Sequence, residues 1–311
     1  MGNQLMNPVT EKVTSTFMAN DGIVAGISGM QGFRKDMEDT HIATAIDSDH
    51  TLFAVFDGHC GKAAANFAEQ HFVQTLSTSQ EWRHYLATKS PVHLTEALRQ
   101  CFIRVDEDMK KDPSIEMSGC TAVVVLITPT LIVCANAGDS RAVMCHHGEP
   151  MALSHDHKPD NPDETARIVN SGGYVQNNRV NGVLAVSRAL GDFELKPWVS
   201  CLPDFEIQQR NPGINDFIII ACDGLWDVFT NKDAVDEVRA IIYEGETNIE
   251  LIAEEMIDLA LHKGSNDNIS AIIIKLSGMP FFQGAEKKGV LQRREKRALA
   301  TAEAEASADS S

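Results

Sequence analysis

Six acidic residues stand beside five short apolar runs. Residues 52–56 lead into Asp57 and Gly58, residues 131–135 lead to Gly138 and Asp139, and residues 217–222 lead into Asp223 and Gly224. Asp267 and Asn268 directly precede the run 269–276, and Glu38 and Asp39 precede the run 41–46. One aspartate beside a glycine reads as a turn. Several at the ends of strands of one sheet system can converge without entering its core, and converging acids repel unless cations, protons or arginines neutralise them. Oxygen donors without a cysteine or histidine pair select hard ions, Mg2+ or Mn2+, over zinc. His59 would stand at the rim of such a site, where it could donate a proton; a lone histidine otherwise reads as structural. Arg34 can fork two oxygens of a phosphate, or can simply pair with one of the acids. Arginine, histidine and two hard cations together suit attack of metal-bound water on a phosphate ester.

The elements that must position these groups are short and β-branched. The runs 23–28, 51–56, 121–127, 131–135, 141–145, 216–222 and 269–276 predict buried strands. The tight spacing between 131 and 145 predicts antiparallel neighbours, because a parallel crossover needs a dozen or more residues. Over 92–111 the apolar residues Leu94, Leu98, Cys101, Phe102, Val105 and Met109 step by three and four, which predicts a helix with one apolar face. Asn161 before Pro162 predicts a helix cap, with a stop at Gly172 and Gly173; Thr230 with Asp233, and Asn248, predict two further helix starts. Strands outnumber helices and do not alternate with them, which predicts an α+β protein: antiparallel sheets flanked by helices. Residues 1–20 read as an arm, 21–278 as one domain, and 279–311 as a charged, solvated tail with some helix in it. That tail's basic residues Lys287, Lys288, Arg293, Arg294, Lys296 and Arg297 read as a solvated run, with an acidic partner or an import signal as the alternatives.

Composition narrows the function. The 311 residues carry 27 basic and 44 acidic side chains, a formal charge of −17, which argues against general binding to nucleic acid. The longest apolar runs are six residues, far short of the roughly twenty that a membrane helix needs. Seven scattered cysteines, with no pair two residues apart, fit a reducing compartment rather than a disulfide framework. None has an arginine six positions later, which excludes a cysteine-dependent phosphatase. Residues 58–62 lack the spacing and the Ser/Thr of a phosphate loop.

The stretches MQGFRKDMED (30–39), FDGHCG (56–61), SGCTA (118–122), ANAGDSR (135–141), HDHKP (155–159), RVNGVLAVSRALGD (179–192), CDGLWD (222–227) and SNDNI (265–269) occur in one order across residues 21–277. In these the chain resembles the metal-dependent serine/threonine protein phosphatases of type 2C. The resemblance implies a four-layer α-β-β-α sandwich with a site for at least two Mg2+ or Mn2+ ions at one end. It implies that Asp57 bridges two ions, that Asp223 and Asp267 complete the first, and that the Gly58 carbonyl serves the second. Glu38 would act mostly through water, and Asp139, with Asp223 and Asp227 near it, would hold a third, weaker ion. Arg34 would clamp the substrate phosphate and His59 would be the general acid. Asp39, Thr121 and Asn268 would support the ligands, and a mobile flap would span about 162–190. Cys60 and Cys120 stand where alanine and serine are usual, which would add oxidation sensitivity if the thiols were exposed. The implied partners are phosphoprotein substrates of a monomeric, cytoplasmic enzyme. Gly2 opens a sequence like an acylation signal, with Met6 where serine or threonine is preferred; one acyl chain would give only weak, peripheral membrane attachment. The basic tail leaves a nuclear location open.

Overall fold

The computed structural model describes residues 4–19, 21–115, 117–211, 215–276 and 289–308. The chain opens with β1 (Gln4–Met18), β2 (Val24–Arg34), β3 (Thr40–Ala45), β4 (Thr51–Phe56) and the short β5 (Gly58–His59). Helices α1 (Ala63–Thr78), α2 (Gln80–Thr88) and α3 (Pro91–Met109) follow, then β6 (Gly119–Cys120), β7 (Ala122–Ile127), β8 (Leu131–Ala137), β9 (Arg141–His146) and β10 (Glu149–Ala152). Next come α4 (Pro162–Asn170), the two-residue strands β11 (Val175–Gln176), β12 (Arg179–Val180) and β13 (Leu190–Gly191), and the longer β14 (Asp204–Gln209) and β15 (Asn215–Ala221). The described chain closes with α5 (Asp223–Trp226), α6 (Asn231–Tyr243), α7 (Ile249–His262), β16 (Ile269–Lys275) and α8 (Gly289–Ala308).

Two antiparallel sheets form the middle layers. One runs β1-β2-β16-β15-β9-β10 and the other β14-β8-β7-β4-β3. Strand β4 is buried at every residue because its faces serve different cores. Phe53 and Val55 point between the sheets, while Leu52, Ala54 and Phe56 pack under α1 and α3. In β15, Ile218 and Ile220 share the core between the sheets, while Phe217, Ile219 and Ala221 face α6 and α7. Each of the larger side chains contributes roughly 1.5–3 kcal/mol on burial, and covering both sheet faces is what makes these strands continuous apolar runs. The result is the expected sandwich of two antiparallel sheets between helical layers.

Several expectations change. Strands β8 and β9 are not neighbours: β8 pairs with β7 and β14, whereas β9 pairs with β15 and β10 in the opposite sheet. Both strands are buried on both faces, so their residue pattern holds no signal of sheet membership, and residues 138–140 form an arch from one sheet to the other. The arm expected over 1–20 contains β1, an edge strand paired with β2. Its register shifts between Gln4 and Lys12, with Pro8 among them, break the alternation that would have revealed it. Phe17 nevertheless meets Phe53 edge-on at 5.5 Å.

At the other end, residues 289–308 of the expected solvated tail are helix α8. Arg293 pairs with Glu237 and Glu244, Arg294 with Glu254, and Arg297 with the fully buried Glu255. The acids lie in α6, at its C-cap and in α7, distant in sequence, so the basic run alone could not show its partners. Lys287 and Lys288 fall outside the described residues, as does Gly2. Thr230 and Asn248 cap α6 and α7 as expected, accepting from Asp233 N and Glu250 N at 3.1 and 3.0 Å. Asn161 occupies the N-cap position of α4 as expected, but its side chain makes no capping bond; its amide donates to the Asp156 carbonyl at 2.7 Å instead.

Candidate active site

The arch brings the acids together. Asp57 leaves one sheet at the end of β4, Asp223 leaves the other after β15, and Asp139 lies in the link between them. Oxygens of these three carboxylates lie within 4.8 Å of one another. Thr121 brackets Asp57: its N–H donates to the Asp57 carbonyl at 2.9 Å, and its hydroxyl accepts from the Asp57 N–H at 3.3 Å. The same hydroxyl meets Ser140 in the arch at 2.6 Å. Gly138, at φ 123°, leaves no room for a larger residue, since a Cβ there would stand 2.5 Å from the Thr121 Cβ.

Asn268 organises the other side. Its carbonyl accepts from the Glu38 N–H at 2.9 Å, and its amide donates to the carbonyls of Gln31 and Asp36 at 2.8 and 3.0 Å. These bonds fix the loop that carries Arg34 and Glu38. Arg34 donates to Asp267 at 2.5 Å, and Glu38 accepts from the Gly61 N–H at 2.9 Å. With Gly58 and His59, these residues line one cavity of about 450 Å3. Arg179 and residues 183–186 close its far side. That wall belongs to the segment expected as a flap, which has a small core of its own around Ile168, Val180, Val186, Ala189 and Val199. Glu164 anchors it, accepting from Arg167 and Arg188 at 2.9 and 2.6 Å.

Asp227 stands apart from the trio. It is exposed, one turn after Asp223, and its N–H donates to the Asp223 carbonyl at 2.8 Å. Asp39 is buried behind the cavity, close to Asp57 and Cys222. Sequence reasoning gave Asp192 no role, yet its carboxylate grips His59 Nε2 at 2.8 and 2.9 Å. The two lie 133 positions apart, and only the closing Asp of RALGD marked it. Gly119 permits the pairing, because a Cβ there would fall 2.2 Å from an Asp192 oxygen.

The electrostatics favour a cation. Loss of solvent, then repulsion from neighbouring acids, pushes the Asp57 and Asp223 carboxyls well above the usual range. Burial pushes Asp39 up to about 6, and both its oxygens lack a hydrogen-bond partner. A cluster that cannot comfortably hold its own charge fits hard divalent ions. Cys222, the sulfur near the acids, is buried with its thiol pushed well above the usual value, first by burial and then by the acids, so it presents no thiolate for a soft metal. Cys60 is exposed, but partial burial, Asp192 and Glu38 raise its thiol too, and Cys120 is buried; neither is an activated thiol. Burial pushes the His59 imidazole down, but the pairing with Asp192, aided by Asp139 and Glu38, outweighs it and holds the ring above its usual value.

Antiparallel sheets between helices, with acids gathered where the sheets meet, define the protein phosphatase 2C family, and the chain belongs to it: the family model described as Protein phosphatase 2C matches residues 23–269. The chain is similar to Protein phosphatase 1B of Rattus norvegicus, 36% identical over 301 residues that cover 90% of this chain and 77% of that protein. It is 38% identical over 298 residues to Protein phosphatase 1A of Homo sapiens, with the same coverage of 90% and 77%. Among solved structures, a serine-threonine phosphatase 2C from Toxoplasma gondii shares the fold with a TM-score of 0.74 at 24% identity, over 85% of this chain and 99% of that one. A C. elegans sex determining protein matches with a TM-score of 0.72 at 27% identity, over 82% of this chain and 65% of that one. Among the described residues, no helix is long and apolar enough to cross a membrane.

Proposed function

We propose that the protein hydrolyses phosphoserine and phosphothreonine esters in proteins, with Arg34 holding the phosphate and His59 as general acid. Membership of the family makes it a metal-dependent protein-serine/threonine phosphatase; the assignment of roles is the proposal. One observation carries it: Asp57, Asp139 and Asp223 converge within 4.8 Å in a cavity also lined by Arg34 and His59.

At least two Mg2+ or Mn2+ ions, with a third and weaker one at Asp139, would supply Lewis-acid charge and an activated water for attack on phosphorus. The residues that would hold them are Asp57, Asp223, Asp267 and the Gly58 carbonyl, with Glu38 acting through water and Asp227 contributing to the third ion from its exposed position one turn after Asp223. Asp39, Thr121 and Asn268 hold those ligands in place. Arg34 keeps one guanidinium nitrogen on Asp267 and is half exposed, so its remaining donors are available to fork two phosphate oxygens. With His59 Nε2 engaged by Asp192, Nδ1 would carry the proton given to the leaving group. A serine or threonine alkoxide is a poor leaving group without that proton, whereas nitrophenolate leaves readily as an anion.

The test follows from that contrast. His59→Gln under saturating Mn2+ should lower kcat on a phosphothreonine peptide by about 10²- to 10⁴-fold, and much less on nitrophenyl phosphate. Equal losses on both substrates would remove the general-acid role.

A further inference from the structure

The ammonium of Lys158 donates to Asp139, and its electrostatic neighbours are three carboxylates of the site, Asp139, Asp223 and Asp227. The contact is built in. Asp139 is almost fully buried, and the segment that carries Lys158 is bolted to the arch. His157 N–H donates to the Gly138 carbonyl at 2.9 Å, and His157 Nδ1 accepts from the Gly138 N–H at 3.2 Å. With Nδ1 as acceptor, the ring proton sits on Nε2 and points to Asp204 at 3.1 Å. Asn136 ties the carbonyls of Gly138 and His155 together at 3.1 and 3.0 Å. The base of the Lys158 side chain is therefore fixed over Asp139. About a third of that side chain is exposed, and its flexible stem has solvent to swing into.

We infer that Lys158 is a resident counter-cation for Asp139, which a divalent ion must displace, and that it thereby sets the affinity of the weakest ion position. This rests on the reading of Asp139 as the holder of a weaker third ion. An ion arriving at Asp139 breaks a charge-assisted hydrogen bond and meets a like charge, whereas Asp57 makes no hydrogen bond to Lys158 among the described contacts. Asp267, outside the converging trio, is held by Arg34; within the trio of Asp57, Asp139 and Asp223 only Asp139 is hydrogen-bonded to a basic side chain among the described contacts, and a strong and a weak position arise there from that difference.

The experiment is calorimetric titration of the metal-free full chain with Mn2+, with folding followed by thermal melting. Lys158→Met should tighten the weakest position by about ten- to a hundredfold, the worth of a hydrogen bond to a charged group, and leave the tight positions within about twofold. Lys158→Arg, which keeps the cation, should bind as wild type does. Two ions in wild type and three in Lys158→Met would also support the inference. A weakest position that is unchanged or weakened in Lys158→Met would overturn it. Two ions in both proteins, or none in wild type, would instead refute the underlying reading of Asp139 as a third position, so the two failures are distinguishable.

Discussion

Asp57 and Glu164 are carboxylates withdrawn from solvent some hundred positions apart, and their surroundings treat them in opposite ways. Asp57 looks onto Asp139 and Asp223, and its carboxyl is pushed well above the usual range, first by loss of solvent and then by its neighbours. Glu164, almost fully buried, looks onto Arg167 and Arg188. Burial raises its carboxyl too, but those two arginines pull it down to about 2. On the reading proposed above, Asp57 borrows its positive charge from outside the chain, whereas Glu164 is paired with two arginines within it. Burial by itself therefore does not separate a catalytic acid from a structural one; what faces it does.

The sharpest way to break the comparison is to neutralise one acid in each region. Asp57→Asn should abolish turnover and remove tight Mn2+ binding while the metal-free fold is retained or made more stable, because a source of repulsion is gone. Circular dichroism melting and calorimetry on the same sample check this; a grossly unfolded Asp57→Asn would show that the acid holds the fold together instead.

Arg34 tests the boundary between the two regions, since it pairs with an acid of the borrowed-charge site. Arg34→Ala should lower kcat/KM by roughly ten- to a hundredfold, the equivalent of about 1.5–3 kcal/mol of charge-assisted bonding. If thermal stability falls while turnover and KM hold steady, the ion pair to Asp267 is the whole of its role.

At Glu164 the effect falls on stability rather than on turnover. Its folded carboxyl titrates near 2, below the ordinary value near 4.5, so its contribution is fully present above about 4.5 and is lost as pH falls toward 2. Glu164→Gln should therefore cost about 1.5–3 kcal/mol near neutral pH, with the gap from wild type closing as the pH is lowered. Urea unfolding at several pH values measures the gap, and a gap independent of pH would remove the charge from the explanation.

Legibility in the sequence followed range. The strands and the acids at their ends were visible because each is a local pattern: six buried residues and then Asp-Gly, as at 51–58. Among the partners of those acids only Arg34, read as able to pair with one of them, was visible, and it pairs with Asp267. His59 and Asp192, Arg297 and Glu255, and Lys158 and Asp139 are separated in sequence, with no local pattern that joins their members. Nor could alternation place β8 and β9 in different sheets, since both are covered on both faces. Helices α1 and α2 went unread for another reason: α1 is rich in alanine and begins without a side-chain cap, so neither its period nor its start stands out.

The arch over residues 138–140 gives the packing between the sheets a second meaning. One end of it is tied to the sheet of β8 and the other to the sheet of β9, so the gap between the sheets acts as a gauge for the spacing of Asp57, Asp139 and Asp223. Phe53, Val125, Ile218 and Ile272 fill that gap. Side chains with no contact to any reactant thus set a mechanical tolerance on the chemistry. A change of one methylene deep in the sandwich, harmless to the fold, can be felt at its rim as a change of ionic spacing.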